Sequence, residues 1–159
     1  EVGRALPPGG RLLLFFTGHG QLRMGGGLHS VALMWGSSEL RGSELDRLLR
    51  STVPDDCWVA IVATQCHSQR FLDEVTRPQT LLVASGWPLW MWSTQDYGVF
   101  PYHLAGALLG RDPATGQPLV EGAASNLRIA VNAARERDHA PEWPRLRVNG
   151  DVTAVPSPF

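Results

Sequence analysis

Three short, nearly unbroken apolar runs constrain this chain more than any other feature. Residues 11–17 read Arg-Leu-Leu-Leu-Phe-Phe-Thr, residues 57–63 read Cys-Trp-Val-Ala-Ile-Val-Ala, and residues 80–85 read Thr-Leu-Leu-Val-Ala-Ser. Such a run offers no polar face to water. As a strand it must be covered on both sides, which is the situation inside a parallel sheet with helices above and below. The intervening sequence supplies helices. Leu45, Leu48 and Leu49 recur at helical spacing behind Ser43, and Asp46 follows that serine by three residues, so the pattern predicts a helix over 43–51 with Ser43 as its N-cap. Further helices are expected over 102–109, stopped near Gly110, and over 125–137, where Leu127, Ala130, Val131 and Ala134 share a face. Short strands are expected over 31–35 and 146–149. Strands alternating with helices give an α/β fold: a mainly parallel sheet flanked by helices. Residues 1–10 read as an N-terminal loop, 11–150 as the domain and 151–159 as a proline-containing tail.

Composition removes several function classes. The 14 basic residues are all arginine and are balanced by 15 acidic ones, for a net charge of −1. A domain built to neutralise phosphates is not indicated, so nucleic acid is not an expected partner. No apolar run approaches the ~20 residues that cross a bilayer. No signal-peptide pattern opens the sequence. Two cysteines, Cys57 and Cys66, exclude a disulfide framework. A reduced, cytoplasmic setting is the expectation. A zinc site drawn from Cys66, His67, His19 or His29 lacks paired ligand spacing, so no metal or other cofactor is expected.

Open parallel sheets bind ligands at the carboxyl ends of their strands. Here that rule selects the Gly18-His19-Gly20 turn and the Gln65-Cys66-His67 turn. If the first two apolar strands are neighbours, their axes lie ~4.8 Å apart, and His19 and Cys66 emerge from one edge. A thiolate is a strong nucleophile, and an imidazole beside it can manage its proton. Gly20 can bring a backbone N–H to a developing oxyanion with no Cβ in the way, and the amide of Cys66 can be a second donor. Cys57, at the start of a buried run, reads as a core residue.

An apolar strand ending in Gly-His-Gly, followed 47 residues after its histidine by a cysteine in a strand-end Cys-His-Ser, resembles the caspase-like cysteine peptidases, the clan of caspases, metacaspases, legumain and gingipain. The spacing is close to the ~50 residues of caspases. The resemblance continues through Trp35-Gly-Ser-Ser-Glu-Leu, through Leu82-Val-Ala-Ser85, through Gly98-Val-Phe-Pro-Tyr-His-Leu-Ala-Gly-Ala-Leu-Leu-Gly110, and through His139-Ala-Pro141. It covers roughly residues 11–150.

The resemblance implies a caspase-like fold and a cysteine endopeptidase that cuts a protein or peptide substrate through a thioester. Cys66 would be the nucleophile, His19 the acid/base partner, and the amides of Gly20 and Cys66 the oxyanion hole. Thr64, Gln65, Ser85, Trp87 and Trp90 would line the substrate cleft; the tryptophans either form apolar subsites or cover the core. Metacaspases carry Asp two residues before the cysteine, where this chain has Thr64, and the usual glycine after Cys-His-Ser is Gln69. Relatives also place a strand–helix unit before the histidine strand. That unit is expected in the remainder of a longer polypeptide or in a regulatory partner chain. Two other readings stand beside the peptidase: a weakly active or inactive caspase-like interaction module, and a cysteine-dependent hydrolase of small esters or amides.

Overall fold

The computed structural model describes residues 5–24, 27–84, 104, 106, 110, 111, 115–118 and 145–151. The expected apolar runs are strands: β1 (Arg11–Phe16), β5 (Trp58–Ala63) and β6 (Thr80–Ala84). Between the first two lie β2 (Gly20–Met24), β3 (Leu28–Leu33), β4 (Glu39–Arg41) and helix α1 (Gly42–Thr52). Helix α2 (Ser68–Asp73) joins β5 to β6, and β7 is Arg145–Asn149. One sheet has the order β1-β5-β6-β7 and the other β2-β3-β4. In the first, β1, β5 and β6 run parallel and β7 antiparallel. The chain is therefore α/β, with a mixed sheet of mostly parallel strands.

The apolar runs became strands because β5 and β6 each feed two cores and β1 feeds one of them. In β5 every residue is buried. Val59, Ile61 and Ala63 face Leu45 and Leu49 of α1 and Phe71 and Leu72 of α2, with Leu12, Leu14 and Phe16 of β1 packed on the same side. Ala60 and Val62 face the other way, with Leu81, Val83, Leu104, Leu146 and Val148. Fully burying an aliphatic side chain contributes roughly 1.5–3 kcal/mol, so this double-sided strand is the main apolar anchor of the fold.

Several local expectations are corrected. The segment expected as a strand at 31–35 is instead β3 at Leu28–Leu33, followed by a 3-10 turn at Trp35–Ser37. β2, β4 and α2 add to the expected elements. Helix α1 is capped by Arg41 rather than Ser43: the Arg41 N–H donates to the Glu44 carboxylate at 3.0 Å. Asp46 has a different task. It accepts the N–H groups of Thr76 and Arg77 at 2.8 and 2.7 Å and the Arg50 guanidinium at 2.8 Å, fastening α1 to the approach to β6. Burial pushes the Asp46 carboxyl up, but these donors outweigh it and hold it below the ordinary carboxylate range. Within the expected 102–109 helix the described residues Leu104 and Gly106 are helical, and Gly110 has a φ of 68°. The expected 125–137 helix lies outside the described residues.

β1 is an edge strand. Gly10 O and Phe16 O accept Trp58 N–H and Thr64 N–H, so the main chain of Leu13 and Phe15 turns away from β5. The side chains of Leu13 and Phe15 are 50% and 51% exposed. Beside them an apolar groove runs between β1 and α1, lined by Leu12, Leu14, Met34, Leu40, Leu45 and Leu48 among others.

Candidate active site

The site begins with strand register. Phe16 of β1 pairs with Ala63 of β5, the last residue of each strand. The Thr64 N–H and hydroxyl both donate to Phe16 O, at 2.9 and 3.1 Å. Both chains therefore leave the sheet at the same carboxyl edge, as the sequence led us to expect. Residues 17–20 and 64–67 emerge there side by side.

The two exits are then pressed together. A Cβ placed on Gly20 would lie 2.0 Å from the carbonyl oxygen of Cys66 and 2.8 Å from Cγ of Gln65. Only glycine fits at that distance. His19 is the next residue along, its Cα ~3.8 Å from that of Gly20. The turn is reached through Gly18, whose φ of 118° suits glycine alone. The side chain of His19 is exposed and that of Cys66 partly exposed.

Register also fixes where the Gly20 amide points. Leu33 N–H donates to His19 O at 2.9 Å, while Gly20 pairs with Ala32. Gly20 and Ala32 are thus a non-hydrogen-bonded pair of the antiparallel ladder, and the N–H of Gly20 points away from β3. It is outside the ladder, at the joint with Cys66.

On the other side of the joint the chain turns sharply into α2. His67 adopts a left-handed conformation, φ 59° and ψ 21°, and its carbonyl accepts Phe71 N–H at 3.2 Å. A non-glycine residue in that region is uncommon and marks a constrained turn. Cys66 occupies the last position between strand and turn.

The remaining expected site residues separate into two groups. Thr64 and Gln65 are buried, 0% and 1% exposed, so neither offers surface to a substrate in this state. The Thr64 hydroxyl is engaged with Phe16 O, and no carboxylate stands at its position. Ser85, Trp87 and Trp90 lie outside the described residues.

Both amide atoms of Gln65 are buried without a hydrogen-bond partner among the described residues, and so is the Ser30 hydroxyl. Nothing in the sequence around Ser30 signals this, because its burial comes from packing of β3.

Cys57 and Cys66 are not joined by a disulfide; Cys57 is buried, with its sulfur 3.4 Å from Pro7 O. Among the described residues no cluster of three or more His, Cys, Asp or Glu could hold a metal ion. Among them, too, no helix is long and apolar enough to cross a membrane. No family model, no curated protein and no solved structure matches the chain.

Proposed function

We propose that this chain is the catalytic part of a caspase-like cysteine endopeptidase, with Cys66 as nucleophile and His19 as its acid/base partner. The observation that carries the reading is the contact of Gly20 with the Cys66 carbonyl, which sets the histidine turn against the cysteine turn. The exposure of His19 and the part exposure of Cys66 support it, since both must meet a substrate.

In this reading His19 takes the thiol proton, and the Cys66 sulfur attacks the scissile carbonyl carbon. The electron pair of the C=O bond moves to oxygen, where the N–H groups of Gly20 and Cys66 receive the negative charge. Collapse of the tetrahedral intermediate breaks the C–N bond, and the His19 proton goes to the leaving amine. The thioester left on Cys66 is hydrolysed by water, which loses its proton to His19 and restores the free thiol. An extended polypeptide is the expected substrate, held by strand addition. Thr64, standing where a metacaspase has Asp, gives no support to a preference for Arg or Lys.

The reading also takes β1 as an inner strand of a larger sheet. Its outward main chain and the half-exposed Leu13 and Phe15 fit a strand–helix unit laid along that edge, from the same polypeptide or a partner. The same apolar edge favours a second reading, an interaction module in which Cys66 does no chemistry.

A fluorogenic peptide library assayed with the wild type and with Cys66→Ala tests the proposal. Turnover by the wild type that disappears in Cys66→Ala supports the peptidase. Equal turnover by the two ends it. No turnover together with ordinary iodoacetamide reactivity of Cys66 favours the interaction module.

A further inference from the structure

The residue before the candidate nucleophile is unusual in its surroundings. Gln65 is 1% exposed, and among the described residues neither its Nε2 nor its Oε1 has a hydrogen-bond partner. Burying a primary amide without partners opposes folding, and such a group in a folded chain calls for a reason. Its neighbour Thr64 shows that the same turn can pair its polar groups, since the Thr64 N–H and hydroxyl are both bonded to Phe16 O.

The place of the orphaned amide suggests the reason. Cγ of Gln65 lies 2.8 Å from where a Cβ of Gly20 would be, on the side of Gly20 that also meets the Cys66 carbonyl. Gly20 is thus gripped between the Gln65 stem and the Cys66 main chain. In the β2·β3 ladder, Gly20 pairs with Ala32 and Leu22 pairs with Ser30. Alternation puts all four on one face, so the unpartnered Ser30 hydroxyl lies on the face that meets Gln65. Two buried polar side chains therefore stand behind the joint of Gly20 and Cys66 with their hydrogen bonds unmade.

We infer that Gln65 is a positioning residue for this site, acting through Gly20 rather than by touching substrate. The inference rests on the peptidase reading above. As the acyl oxygen draws in the N–H of Gly20, the turn of His19 and Gly20 tilts toward Cys66. The Gln65 Nε2–H group then donates to a main-chain carbonyl of that turn and holds the Gly20 amide on the oxyanion. The bond is absent in the unliganded chain and forms in the reacting complex, so its effect falls on the chemical step rather than on substrate capture.

The test is a pair of apolar variants of similar volume, Gln65→Met and Gln65→Leu, read for thermal stability, kcat and KM beside the wild type and Cys66→Ala. Removing an unpaired buried amide raises the melting temperature by a few degrees. Losing the hydrogen bond of the reacting state lowers kcat by about 10- to 100-fold, with KM within about 3-fold. Stability and kcat thus move in opposite directions, which a merely structural glutamine does not produce. A lowered melting temperature in both variants, or wild-type kcat in either, overturns the inference while leaving Cys66-dependent turnover in place. Absence of Cys66-dependent turnover in the wild type instead overturns the peptidase reading, and the positioning role falls with it.

Discussion

Gly20 and Cys66 touch through their main chains: a Cβ on Gly20 would stand 2.0 Å from the Cys66 carbonyl oxygen. The two residues are 46 apart in sequence and belong to different sheets' approaches. Their contact converts two strand ends into one candidate site.

The first expected outcome concerns that contact. Gly20→Ala forces the His19 turn away from Cys66, because the obstructing atoms are backbone and cannot swing aside. We expect a loss of stability of about 1–3 kcal/mol and a fall in kcat/KM of at least about 100-fold. Urea unfolding and peptide turnover measure the two. An alanine variant with wild-type stability contradicts the close approach.

A second concerns Arg77, 1% exposed, whose guanidinium donates to the carbonyls of Pro78, Pro54 and Cys57 at 2.8, 2.6 and 3.1 Å. It has no carboxylate partner among these bonds. Burial lowers its pKa, while Asp55 acts to raise it. Its work is to satisfy three carbonyls at the entrance to β5 and β6. Arg77→Met leaves them without donors and is expected to cost about 2–4 kcal/mol, with the shift read from chemical denaturation. A neutral result shows that water replaces the guanidinium.

The third is a pH dependence. The folded-state pKa of Asp46 is lowered, the net result of burial opposing donation by Arg50, Thr76 and Arg77. Its contribution to stability is therefore present above the unfolded carboxylate value of about 3.9. It is lost as pH falls from there through the folded value. The stability difference between wild type and Asp46→Asn is expected to shrink as pH drops from about 5 to about 2. A difference that stays constant across that range contradicts the depressed carboxyl.

The fourth concerns the β1 edge of this 159-residue chain. Phe15 is 51% exposed on a strand whose main chain faces outward. Phe15→Lys is expected to lower concentration-dependent association while changing stability by no more than about 0.5 kcal/mol. Light scattering over a concentration series checks the first, and thermal unfolding the second. A large destabilisation instead places the Phe15 ring in the interior.

Much of this was readable from residue order because β5 and β6 are hidden on both faces and β1 is apolar almost throughout. Leu12–Phe16 (among β1), β5 and β6 carry no polar alternation, and that alone gives their type and their parallel company. The second sheet was not readable. β2 reads Gly-Gln-Leu-Arg-Met, three of its residues are polar or glycine, and it is held by its antiparallel pairing with β3. α2 is six residues long, too short for a helical period to emerge. The α1 cap was misplaced because Ser43 with Asp46 mimics the pattern that Arg41 and Glu44 carry out. The shared edge from which residues 17–20 and 64–67 emerge follows from the two strand ends. The burial of Gln65 does not, since it depends on Gly20, whose ribbon the sequence left unassigned.

The most direct test of the account is covalent trapping with a peptide acyloxymethyl ketone, followed by intact mass and peptide mapping, on wild type and His19→Ala. The account predicts one adduct per chain on Cys66, with Cys57 unmodified, forming at least about 100-fold more slowly in His19→Ala. An adduct that forms equally fast in both proteins, or none on Cys66 with a reagent series covering all residue classes before the cleaved bond, contradicts it.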